Sequence, residues 1–170
     1  MEKVALNNKV YAELLSKKHH FSKFLRHFVK REWVKFLEEE NLRLCTAEFA
    51  EHLSEPGPIV IYRAKFASEE IFLYLLLQTV PMFSVPFRIM EDMSGILTKI
   101  FFDTPMDERS SADFRLPSVI PIVFYNGRES WQVPRNFKNY FPNKDAFDGL
   151  IDFEYILVDV NKFNDGCAII

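Results

Sequence analysis

Lys17, Lys18, Lys23, Arg26, Lys30, Arg31 and Lys35 crowd one short segment in which Glu32 is the only acid. On a helix, such a run tracks phosphates and fixes a protein's position along a nucleic-acid backbone. The same run also describes the solvated face of an amphipathic helix. Lys17, Lys18, Lys23, Arg26, Lys30 and Arg31 are therefore DNA-binding candidates with a plain structural alternative. His19 and His20 are adjacent, so on a helix they point in different directions and cannot share a metal at i, i+4 spacing. His27 and His52 have no suitably spaced partner. Cys45 and Cys167 stand alone, too few for a disulfide scaffold or a four-cysteine zinc site, and Cys45 reads as a structural thiol. Glu55, Glu69, Glu70, Glu91 and Asp92 are the acids nearest the apolar segments. Of these, Glu91 and Asp92, between Met90 and Met93, read as a solvated polar face. Gln78 ends an apolar run and is either a buried amide satisfied by the backbone or a site residue. Trp131, near Asn126-Gly127-Arg128, could stack a base or seal the core beneath a turn.

The elements that must carry these residues follow from periodicity. Phe21, Phe24, Leu25, Phe28 and Val29, completed by Trp33, predict an amphipathic helix over 20–34, with a shorter helix over 10–15 before it. Glu55-Pro56-Gly57-Pro58 breaks the chain. Segments 59–66 and 71–77 predict two antiparallel strands joined by the loop Ala67-Ser68-Glu69-Glu70. A helix from Pro86 to about Phe102 follows and ends at Thr104-Pro105. Segments 119–125 and 155–160 predict buried strands, with a short helix between them. The order describes a mixed α/β plan with helices against a small sheet.

The chain has 170 residues, which suits one domain and leaves no room for a second full catalytic one. Its 18 Phe predict an aromatic core. The formal charge of -3 confines any nucleic-acid role to a local basic patch. No apolar run has signal-peptide or membrane-span length, and the two cysteines fit a reducing compartment. A soluble cytoplasmic protein without a membrane partner is expected.

Four blocks carry a family resemblance: 60–66 with Glu69-Glu70-Ile71; Pro86-Phe87-Arg88; 113–127 with Trp131; and 152–161. The third, DFRLPSVIPIVFYNG, is the most specific. They resemble the recombination-promoting nuclease family, also labelled putative transposases, whose fold is that of PD-(D/E)XK nucleases. The likeness runs from about Asn7 to Phe163. It implies a nuclease-like domain over 1–163 with a helical part at 1–55. Family members usually continue into a further helical region, so 164–170 reads as a short tail and the chain as shortened.

The resemblance implies Mg²⁺-dependent DNA cleavage, in which a hard cation held by oxygen ligands activates water. At the position of the metal-binding Asp this chain has Ile59. Two residues before Gln78, where the family shows Glu, it has Leu76. The N-terminal His-Asp pair appears as Asn7-Asn8. Gln78 is then a remnant of the site, and Asn8, Ile59 and Leu76 are its degenerate positions. No metal is expected here, and catalysis is expected to be weak or lost. Glu55 or Asp92 could hold a cation only if the fold moved them into the site. DNA, an active family nuclease or a second copy of the chain are the partners this reading allows.

Overall fold

The computed structural model describes residues 2–163; the side chain of Asn7 and the whole of 164–170, with Cys167, lie outside the described residues. Helix α1 (Glu2–Leu15) extends well before the expected 10–15, because no Gly or Pro interrupts it. Helix α2 (Lys18–Phe28) stops short of the expected Val34. The chain goes extended at Val29–Arg31 and resumes in a 3₁₀ turn, Glu32–Phe36, which lets both Val29 and Val34 turn into the core. Tertiary burial overrides helical periodicity there.

Two short elements were not legible in the pattern: the edge strand β1 (Arg43–Leu44) and helix α3 (Thr46–Phe49). Strands β2 (Ile59–Phe66) and β3 (Glu69–Gln78) form the expected antiparallel pair. Their loop is only Ala67-Ser68, with Ala67 at φ 55, so Glu69 and Glu70 pair with Phe66 and Lys65 instead of lying in the turn. Helix α4 (Val85–Asp103) starts with Pro86 in its first turn and is capped by the Thr104 N–H donating to the Ile100 carbonyl. A short helix, α5 (Met106–Arg109), follows. Strand β4 (Ser118–Tyr125) then runs parallel to β3, and β5 (Ile156–Asp159) parallel to β4; the expected short helix between them is the 3₁₀ turn Phe137–Tyr140. The sheet order is β1-β2-β3-β4-β5.

Strand alternation sends side chains to two separate cores. Val60, Tyr62, Leu73, Leu75, Leu77 and Phe124 meet α1 and α2, where the Phe21 ring stacks on Tyr62 at 4.2 Å. Ile59, Ile61, Tyr74, Leu76 and Val123 meet α3 and α4 through Phe49, Val85, Ile89 and Ile96. The sheet is thus a buried middle layer between helices.

Candidate functional site

Ile59 and Leu76 are direct cross-strand partners, and the register continues from Leu76 to Val123 of β4 and Leu157 of β5. Four neighbouring strands therefore present one unbroken row of hydrocarbon on the α4 face. Leu76 is fully buried and Ile59 only 6% exposed. Hard divalent cations need oxygen ligands, and aliphatic side chains offer no lone pair. The residues present at these positions do not fit such an ion. Asn8 comes to the same end of the hairpin from α1: its Nδ2 donates a long 3.5 Å hydrogen bond to the Leu77 carbonyl, while its Oδ1 is buried without a partner. Asn8 and Ile59 also line one cavity of about 850 Å³, together with Ala12, Pro58, Thr79 and Val80. Asn8 thus reaches the Ile59 end of the hairpin from the α1 side of the sheet, whereas the Leu76 side chain is buried in the core on the α4 side and does not line that cavity.

The next row toward the carboxyl ends of the parallel strands is polar. Gln78 pairs with Tyr125, and Tyr125 with Asp159. In open α/β sheets, ligands gather at these strand ends. Gln78 is half-buried and its side chain makes no hydrogen bond among the described residues, so it is not an amide satisfied by the backbone; its backbone carbonyl accepts the Asn126 N–H at 3.1 Å. Asp159 is 6% exposed, and its Oδ1 accepts from the Asn161 backbone N–H and side-chain amide at 3.1 and 2.9 Å. The Tyr125 hydroxyl donates to the Glu129 carbonyl, and burial raises its pKa. A carboxylate closing an apolar strand was the available signal for Asp159.

Asp92 departs most from the sequence expectation. It is fully buried, not solvated, whereas Glu91 beside it is exposed. Its Oδ2 accepts the Tyr74 hydroxyl at 2.5 Å, and its Oδ1 accepts both the backbone N–H and the hydroxyl of Ser54 at 2.7 Å. The Arg88 Nε lies 3.7 Å away, and the same guanidinium holds the Glu55 carboxylate at 3.1 Å. Burial, and then the Asp92 charge, push the Tyr74 pKa well above its usual value, so its proton stays in place. This network ties the 53–58 segment to α4 and so fixes the entry into β2. Both Asp92 oxygens take donors, and the Glu55 carboxylate is paired with Arg88. The i, i+4 spacing of Arg88 and Asp92 was the signal in the sequence. Among the described residues, no three His, Cys, Asp or Glu side chains are grouped to hold a metal ion.

The sequence pattern of a family described as "Putative transposase, YhgA-like" matches residues 7–167. The chain belongs to that family. No curated protein and no solved structure matches it.

In this YhgA-like chain the basic candidates do not form one helical stripe. Lys17 precedes α2, Lys18, Lys23 and Arg26 lie on it, and Lys30 and Arg31 occupy the extended link after it. All six are exposed and, among the described residues, none makes an ion pair, whereas Lys35 pairs with Glu32 at 2.7 Å. The break after Phe28 gathers Arg26, Lys30, Arg31 and Lys35 around a concavity of about 550 Å³. The other sequence candidates have structural employment. His19 meets Glu39, and the His27 ring meets the Lys23 carbonyl. Cys45 is buried against the Ile61 carbonyl, and burial pushes its pKa up to about 11. Trp131 donates to the Tyr155 hydroxyl at 3.0 Å and lies 4.9 Å from the Tyr125 ring, against the core. No helix in the described residues is long and apolar enough to cross a membrane.

Proposed function

We propose that this YhgA-like chain is a DNA-associated domain of PD-(D/E)XK nuclease ancestry in which the cation site has been replaced by hydrocarbon. The pairing of Ile59 with Leu76 carries this reading: the two positions that the family resemblance assigns to carboxylates face each other across the hairpin, and both are aliphatic. Without oxygen ligands, the Lewis-acid stabilisation of several kcal/mol is lost. At about 1.4 kcal/mol per tenfold in rate, cleavage falls by roughly three decades or more. DNA association rests on Lys17, Lys18, Lys23, Arg26, Lys30 and Arg31, exposed and without ion pairs among the described residues, which neutralise phosphates and release counterions without any metal.

The test is incubation of supercoiled plasmid with the purified chain and Mg²⁺ or Mn²⁺, beside Ile59→Asp combined with Leu76→Glu. No nicking by the natural chain and metal-dependent nicking by the double variant are expected; nicking by the natural chain defeats the proposal. A second reading, a non-catalytic module that binds and restrains an active family nuclease, draws on the exposed Phe102, Met106 and Ile151. It requires that adding this chain to an active family nuclease slow plasmid cleavage in proportion to its concentration.

A further inference from the structure

Among the described residues the outer side of α4 is uncovered, with exposed Phe87 and Phe102 at its ends and small polar side chains between them. Among the described residues its main packing partners are β4, α3 and the turn at Ala50–His52, which comes up against Gly95. Along its exposed face Met90, Ser94, Thr98 and Phe102 form one row at spacing four, bulky at both ends and small in the middle. Such i±4n rows are the ridges that interlock when two helices cross. The row reads the same in both directions about residue 96. In an antiparallel copy Met90 meets Phe102, and Ser94 meets Thr98, so the small waist admits close approach and the bulky ends fill the flanks. A groove of about 710 Å³ runs beside the row between Met93, Leu97 and Phe101 of α4 and Leu116, Ile151 and Phe153 opposite, open to receive side chains from a facing helix.

The exposed area is of the right size. Phe102, Met106, Leu116 and Ile151 are 67%, 70%, 46% and 57% exposed, and Phe87 at the other end of the helix is 48% exposed. Together they present on the order of 600 Å² of apolar surface, at the upper end for a monomer and close to the ~800 Å² per partner of a standard interface.

We infer that α4 is the seam of a twofold-symmetric homodimer, with the Met90-Ser94-Thr98-Phe102 ridge packing antiparallel against its own copy. The interface is isologous, as a twofold axis requires. It is independent of whether the hairpin site cleaves DNA, because none of these residues lies at Ile59, Leu76 or the basic concavity.

Sedimentation velocity of the full chain over a concentration series tests this. The expected result is a species of twice the 20.1 kDa chain mass, dissociating around a Kd on the order of 10 µM. Thr98→Arg, a change at an exposed position, shifts the sample to monomer while circular dichroism stays unchanged. Register is tested by oxidising Ser94→Cys and Thr98→Cys variants in a Cys167→Ser background. A mixture of the two gives a covalent dimer, and each alone gives far less. A monomer at every concentration, a dimer undisturbed by Thr98→Arg, or equal cross-linking by the single variants overturns the proposal.

Discussion

Replacing Asp92 tests how the α4 face is held together. In Asp92→Ala the Tyr74 hydroxyl and the Ser54 N–H and hydroxyl lose their acceptor, and the Arg88 Nε at 3.7 Å loses its counter-charge. A buried donor left unpaired costs about 1–3 kcal/mol, and breaking a buried ionic contact from one side costs about 3–5 kcal/mol. The expected loss is therefore about 4 kcal/mol, a large share of a typical domain's stability of about 5–15 kcal/mol. Tyr74→Phe removes one donor while Ser54 still holds the carboxylate, and should lose about 2 kcal/mol. The two changes must not add. Once Asp92 is gone the Tyr74 hydroxyl is an orphan, so removing it as well recovers about 1–2 kcal/mol; the double variant then loses about 2–3 kcal/mol where additive losses would give about 6, a coupling of about 3–4 kcal/mol. Urea unfolding at neutral pH of the four forms measures the cycle, with Asp92→Asn substituted if the alanine form is largely unfolded. Amide exchange at Ser54 should accelerate in parallel, because its N–H donates directly to Asp92. Additive losses within about 0.3 kcal/mol, or an unchanged Ser54 amide, would refute the network as a structural tie.

Three further outcomes follow from the same geometry. Asn8→Leu should raise stability by about 1 kcal/mol in urea unfolding, because it removes a buried acceptor without a partner for the loss of one long hydrogen bond; destabilisation would show that Oδ1 is satisfied. The Cys45 thiol has a pKa raised by burial from 9.0 to about 11. Its contribution is therefore complete below pH 9 and is lost as the unfolded thiol ionises first between pH 9 and 11. Over that window wild-type stability should fall by about 2 kcal/mol more than that of Cys45→Val, and parallel pH profiles would contradict this. In a mobility shift with duplex DNA, Lys30→Glu with Arg31→Glu should weaken binding and flatten its salt dependence by about two charges; an unchanged salt slope would remove these residues from the interface.

The strands that carry the candidate site were legible because their signals were local. An apolar run of 59–66, a break at Pro56-Gly57-Pro58 and the close of an apolar run at Gln78 place the hairpin almost to the residue. What pairs with what across the sheet was not legible. The pairing of Ile59 with Leu76 comes from a two-residue turn at Ala67-Ser68, whose positive φ at Ala67 no motif announced. Helical period over 20–34 misled for a related reason: Val29 and Val34 lie in the core, but an extended link and a 3₁₀ turn put them there. Asp92 escapes a sequence reading because the charged pair Glu91-Asp92 between methionines resembles a wet face, and only the arrival of Tyr74 and Ser54 from distant segments makes the burial of Asp92 tolerable. The aligned row of Gln78, Tyr125 and Asp159 likewise exists only once parallel register is set.

Calorimetric titration with Mn²⁺ tests most directly the proposed loss of a cation site at the hairpin. For the natural chain the heats should match those of ion dilution up to millimolar metal, while Ile59→Asp with Leu76→Glu should acquire a saturable site of one ion per chain. Saturable binding by the natural chain that disappears on mutation near Ile59 and Leu76 would contradict the account.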